Sequence, residues 1–344
     1  MPASRMNNYL DGSGARSGAA IVTTFRAADA YLRGFVRYHL ATGFDRLYLF
    51  QDDPSERIPD ELIADSRVCV VPHDATLQAC WRMTLDRHVK LPLLYEWRDR
   101  EVMARQLLNV AVAIDLARRD DMRWLLSIDV DELFFCGERM SVRSHFESLE
   151  RRGILHSVYF NHELVPERWN AGDPFAESSL FKLSPHVLGA DRRNWFGKRF
   201  PGRFDYFNYY HWGKAAARLV DGLLPGFTVH EFLLPGHAEP AVRHANPCIL
   251  HYAICGFAEF AKKYAVLGQF GDRWFGTGVD IRQALPFHAA ARDAVADRDP
   301  QAAARFYRDN VLFTCGEIEE LLRQGLCRRF AVPSSLSGHA FTSA

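Results

Sequence analysis

The chain has 344 residues, 48% of them hydrophobic, and its 42 Lys and Arg balance 42 Asp and Glu to zero net charge. This is enough apolar material for one large α/β domain with additions or for two domains, which excludes a disordered chain, and the balance excludes a global field that would recruit nucleic acid. Seven scattered cysteines without a C-x-x-C pair exclude a clustered zinc site and suit thiols in a reducing compartment.

The first twenty residues lack the apolar core of a secretory leader, and no run of 18 apolar residues follows, so a cytoplasmic protein is expected. Residues 1–18 and 331–344 are expected as flexible ends. The first strand is expected at "AAIVTT", Ala19 to Thr24. A helix follows in which Ala30, Leu32, Phe35, Val36, Leu40 and Ala41 share an apolar face before Gly43. "RLYLF" and "RVCVV" read as the second and third strands, a long helix runs from about Asp99 to Arg118, and "RWLLSI" is the fourth strand. The alternation implies a doubly wound, mostly parallel α/β sheet.

Beyond it the pattern predicts a helix near Ser141 to Arg152, a strand "HSVYFNH", short strands at "GFTVHEFLL" and "CILHYAI", and a helix in which Phe257, Phe260, Ala261, Tyr264 and Leu267 share a face. Between them lies "DRRNWFGKRFPGRFDYFNYYHWGK". Its Tyr206, Tyr209, Tyr210 and Trp212 could stack on sugar, while Arg192, Arg193, Lys198, Arg199, Arg203 and Lys214 could meet phosphates or acids; the alternative is a surface loop anchored by its aromatics.

In such sheets ligands collect at the carboxyl ends of the strands. Two acidic clusters fall there: Asp52 and Asp53 after the second strand, and Asp129 with Asp131 after the fourth. Either could merely solvate a turn; together they favour a site. In extended backbone Asp129 and Asp131 would point the same way while Val130 turns to the core, and carboxylates so paired suit Mg²⁺ or Mn²⁺ bridging a diphosphate. Help to a leaving diphosphate is what sugar transfer from a nucleotide donor requires. A histidine would complete the ligand set, with His251 and His230 as the candidates.

The blocks "AYLRGFVRYHLATGFDRLYLFQDDPSE", "WLLSIDVDELFF", "HWGKAAARL" and "LHYAICGFAEFAKKY" resemble, in order, those of glycosyltransferase family 92 and the related family-2-like transferases with a DxD motif. The resemblance implies a type A glycosyltransferase fold with a Rossmann-like nucleotide-binding half, a nucleotide-sugar donor, a divalent metal and transfer with inversion. Carried over residue by residue, it assigns Asp129, Asp131 and His251 to the metal and Asp52 or Asp53 to the nucleoside. It assigns Lys214 and Lys263 to the donor, with Arg105 and Asn109 as further donor-site candidates. It also implies a catalytic domain over 19–270, split at 136/137 into donor and acceptor halves, and a helical extension over 271–330. Ala27 and Ala28 depart from the family's Asn-Glu, Gly34-Phe35 from its Glu-Trp, and Gly256 from its Ser.

Two other readings remain at this stage. One is a binding protein that kept the fold and lost turnover. The other is a haloacid-dehalogenase-type phosphatase, whose Asp-x-Asp continues with Thr where this chain has Leu133. The acceptor is expected to be a glycan or a lipid-linked group, with peripheral contact at the inner membrane face, and Asp173 and Asp205 both stand as candidates for the base.

Overall fold

A computed structural model describes residues 18–137, 140–204, 212–237, 239–266, 270–273 and 279–332. In chain order the elements begin with β1 (Ala19–Phe25), α1 (Leu32–Thr42), β2 (Arg46–Gln51), α2 (Asp60–Ala64), β3 (Val68–Pro72), α3 (Ala75–Arg82), α4 (Lys90–Trp97), α5 (Val102–Arg119), β4 (Trp124–Ser127), β5 (Glu132–Phe135) and α6 (Val142–Arg151). They continue with β6 (His156–Leu164), α7 (Pro174–Glu177), β7 (Leu180–Lys182), α8 (Ala190–Arg199), β8 (Lys214–Arg218), β9 (Leu224–Pro225), β10 (Phe232–Leu233) and β11 (Val242–His251). The last are α9 (Phe257–Val266), α10 (Ile281–Ala284), α11 (Pro286–Ala296), α12 (Ala302–Asn310), α13 (Cys315–Arg323) and β12 (Cys327–Arg329). The class is α/β, as the alternating pattern required.

The chain divides into two compact units, one holding residues up to 159 and 213–249, the other 160–212 and 250–334. The chain passes between the units within β6, just before β8 and within β11. Helices α11 to α13 share one core with the segment around α8.

In the first unit β3, β2, β1 and β4 are parallel neighbours in that order, with Phe25 opposite Gln51, Gln51 opposite Pro72, and Val22 opposite Ser127. Strand β1 is an unbroken apolar and small-residue run, buried almost throughout, as a central parallel strand requires. Helix α5 packs on β1 and buries Leu107, Leu108, Val110, Ala111, Ala113 and Ile114, so it is apolar around most of its circumference. Helix α1 ends at Gly43, whose φ of 106° is a left-handed cap that a side chain would strain. A capping box between Ser141 and Ser144 starts α6 where expected.

Antiparallel to β4 runs β8, with Leu126 opposite Ala216, and β6 begins beside β8 with Tyr159 opposite Lys214. An antiparallel strand starts at the edge where its parallel neighbour ends. Lys214, the first residue of β8, therefore stands at the carboxyl edge of β4. The expected strand over "GFTVHEFLL" is instead the short pair β9 and β10, and the turn between them carries His230 because Gly226 N–H closes on the Glu231 carbonyl.

In the second unit the end of β6, β7 and β12 pair antiparallel. The interleaved aromatic and basic stretch opens as helix α8 rather than a loop: Phe196 and Phe200 are buried with Phe260, Phe287 and Tyr307. Each such ring contributes on the order of 1.5–3 kcal/mol by leaving water, which accounts for Phe196 and Phe200. Residues 205–211, with Tyr206, Tyr209 and Tyr210, lie outside the described residues. No helix among the described residues is long and apolar enough to cross a membrane.

Candidate functional site

Three strand ends of the first unit meet the opening turns of one helix. On α5, Arg105 and Asn109 are one turn apart and Gln106 adjoins Arg105, so three polar side chains look toward the carboxyl edge of the sheet. Arg105 grips Asp52, just past β2, with Nε and Nη2 at 2.5 and 2.8 Å from its two carboxylate oxygens. Asn109 donates to Thr24 on β1 at 2.9 Å and accepts from the Trp81 indole at 2.9 Å. Gln106 donates to Asp129, just past β4, at 2.9 Å. Since β2 and β4 flank β1, Asp52 and Asp129 stand about two strand spacings apart, roughly 10 Å.

The acidic loop differs from the extended form expected for it. The Glu132 N–H closes on the Asp129 carbonyl at 3.1 Å, so residues 129–132 form a β-turn between β4 and β5. Val130 is only half-buried, and the residue turned into the core is Glu132, which is fully buried. Its carboxylate accepts the Asp129 N–H at 2.8 Å and lies 3.2 Å from the Lys214 ammonium. Lys214 also donates to Asp129. Burial alone would lower the Lys214 pKa, but Asp129 and Glu132 outweigh it and hold the ammonium above the ordinary lysine range. Lys214 is thus a buried, permanent cation clamped by two carboxylates.

Gly213 sets the approach of Lys214. Its φ is 79°, and a Cβ there would come within 2.5 Å of the Tyr159 carbonyl, so glycine alone fits. The Gly213 carbonyl accepts from His230 Nδ1 at 2.7 Å. That bond requires a proton on Nδ1 and fixes the direction of the ring.

The remaining expected residues fall differently. Asp53 is half-buried and accepts from Ser55, two residues on, at 3.0 Å (N–H) and 2.6 Å (hydroxyl); these bonds hold its carboxyl below the usual range. His251 belongs to the second unit, where its Nδ1 lies 3.0 Å from the fully buried Glu163, a carboxylate also held by Asn161 at 2.8 Å. Lys263, in the same unit, donates to the Ala253 carbonyl at 3.1 Å. Asp173 caps α7 by accepting from Phe175 and Ala176, and Asp205 lies outside the described residues. Arg199 pairs with Glu320, and Arg203 donates to the Asp309 and Leu312 carbonyls, so both serve the second unit's own structure.

The first unit accordingly brings together Asp52, Arg105, Asn109, Asp129 and Lys214. It adds Glu132 and Gln106, to which sequence reasoning had given no role. Gln106 had a signal, its place beside Arg105 on the helix before the acidic strand. Glu132 had only the charge itself.

Among the described residues no three or more His, Cys, Asp and Glu side chains are gathered as a metal cluster. The donor chemistry nevertheless fits a divalent cation. Asp129 and Glu132 together carry one negative charge more than the Lys214 they share, and carboxylate oxygens at the edge of the sheet suit Mg²⁺ or Mn²⁺.

No family model matches the chain. It is 28% identical over 248 residues to the Arabidopsis thaliana protein named Glycosyltransferase-like At3g57200, covering 70% of this chain and 46% of that protein. It is 26% identical over 320 residues to Glycosyltransferase-like At2g41451 of the same plant, covering 87% and 67%. The chain therefore spans about half the length of the first relative. Among solved structures, apo mouse xyloside xylosyltransferase 1 aligns at 13% identity over 58% of this chain and 66% of that one, with a TM-score of 0.27, too low to bear on the fold.

Proposed function

We propose that this chain is a glycosyltransferase that moves a sugar from a nucleotide-sugar donor to a glycan or lipid-linked acceptor, with inversion at the sugar carbon and with Mn²⁺ or Mg²⁺ as cofactor. One observation carries the reading: ionic and polar side chains from β2, β4, α5 and β8 converge on the carboxyl edge of a parallel sheet, where a nucleotide diphosphate is expected to bind. The two glycosyltransferase-like relatives support it.

In this reading Asp129 and Asp131 would hold the cation, which when bound supplies Lewis-acid help to the departing diphosphate. For a nitrogen ligand we favour His230. Its ring is oriented by the residue next to Lys214. Arg105 fixes Asp52 beside the nucleoside edge, and Asn109 holds the end of β1 against α3 and α5. Asp53, at the surface, is the carboxylate we assign to the ribose.

A panel of nucleotide sugars tested by thermal shift and by hydrolysis, with Mn²⁺ and with EDTA, checks the proposal. One donor should stabilise the protein only with metal present and be hydrolysed slowly without acceptor. Stabilisation without hydrolysis or transfer would make the chain a binding protein, and no stabilisation by any nucleotide sugar would end the reading.

A further inference from the structure

The two partners of Lys214 are unequal. Glu132 is 0% exposed and sits under the turn, while the Asp129 side chain is 33% exposed and faces the edge of the sheet. Asp129 has a second holder in Gln106, and Glu132 is braced by the Asp129 N–H. Both carboxylates thus keep a hydrogen bond if the ammonium turns away from one of them. An ammonium carries three donors on a flexible stem, so it can keep the buried carboxylate and exchange the exposed one.

Resting on the donor site proposed above, we infer that Lys214 is the built-in counter-ion of Asp129 in the donor-free protein. When the donor arrives it passes from Asp129 to the diphosphate, pivoting on Glu132. Lys214 then has two tasks at different times. Before binding it suppresses repulsion between Asp129 and Glu132. After binding it offers its charge to the phosphate oxygens, where charge accumulates as the sugar departs. Glu132 is a positioning residue: it touches no substrate and keeps the ammonium within reach of both partners.

This account separates from a purely structural ion pair. If Lys214 must leave Asp129, then removing the Asp129 charge should make the transfer easier. Removing the lysine should harm diphosphate recognition and spare the nucleoside.

The test is calorimetric titration of the full chain with UDP and GDP, and with uridine and guanosine, in Mn²⁺ and in EDTA. Lys214→Met should weaken the better diphosphate about tenfold or more, and its nucleoside less than about twofold. Asp129→Asn should bind that diphosphate more tightly than the wild type in EDTA, because Glu132 alone then holds the ammonium. Should Lys214→Met fail to fold, the Asp129→Asn titration and the Nζ resonance of Lys214 in ¹⁵N-lysine-labelled wild type decide, the resonance moving on diphosphate addition. Equal diphosphate affinity in wild type and Lys214→Met, or weaker binding by Asp129→Asn in EDTA, would overturn this inference while leaving the donor site intact. If the wild type binds neither diphosphate under any metal condition, the donor reading falls and this inference with it.

Discussion

Arg105 and Asp52 form a two-pronged ion pair across α5 and β2, with side chains 12% and 3% exposed and contacts of 2.5 and 2.8 Å. It is the tightest link between the helix and the carboxyl edge of the sheet, and both charges are too deeply placed for solvent to replace either partner. Arg105→Ala strands a buried carboxylate and should destabilise the first unit by about 3 kcal/mol, read as a shift in the urea midpoint. Arg105→Lys, which keeps the charge and loses the fork, should fall between. A loss under about 0.5 kcal/mol for Arg105→Ala would show the pair to be solvent-screened.

Asp131→Ala should lower Mn²⁺-dependent nucleotide-sugar hydrolysis by roughly a hundredfold or more while the thermal midpoint stays near that of the wild type. Its carboxylate is half-buried on a turn, so stability depends on it little. A folded Asp131→Ala protein with wild-type turnover removes the acidic turn from the chemistry.

His230 and His251 should part company. We expect His230→Ala to weaken Mn²⁺ binding, followed by electron paramagnetic resonance of the ion, with little change in stability. His251→Ala should cost about 2–4 kcal/mol in denaturation, because it leaves the buried Glu163 carboxylate without its imidazole partner. The reverse pattern would return the ligand role to His251.

Acid stability should report His39. Burial lowers its pKa to about 3, against the hydrogen bond to the Phe35 carbonyl, which raises it. The neutral ring is doubly committed: Nδ1 donates to Phe35 at 2.9 Å and Nε2 accepts the Phe134 N–H at 3.1 Å. A depressed folded pKa means the unfolded chain binds the extra proton, so this stability is fully present above about pH 6.5 and is lost progressively as pH falls toward 3. His39→Gln should reduce the slope of unfolding free energy against pH between 4 and 6 by about 1.4 kcal/mol per unit. An unchanged slope would mean that other histidines, such as His145, whose burial also lowers its pKa to about 3, carry the effect.

Much of the fold followed from local pattern. The four parallel strands, the helix before the acidic strand and the cap at Gly43 rest on short-range periodicity and on conformations that particular residues favour, so neighbouring residues sufficed to find them. The same logic put Asp52 and Asp129 at strand ends, because alternation of strand and helix fixes which end of each strand faces the same edge. The long-range pairings were not legible. That residues 129–132 turn, with Glu132 rather than Val130 directed inward, depends on Lys214, 85 residues beyond Asp129 on a strand running the other way. That Phe196 and Phe200, in the aromatic and basic stretch, fill a core was equally illegible, because composition cannot distinguish rings that stack on sugar from rings that are buried. The division of the chain likewise depends on residues 213–249 returning to the first unit. Burial and charge pairing are properties of distance in space, and only the folded chain decides which distant residues share it.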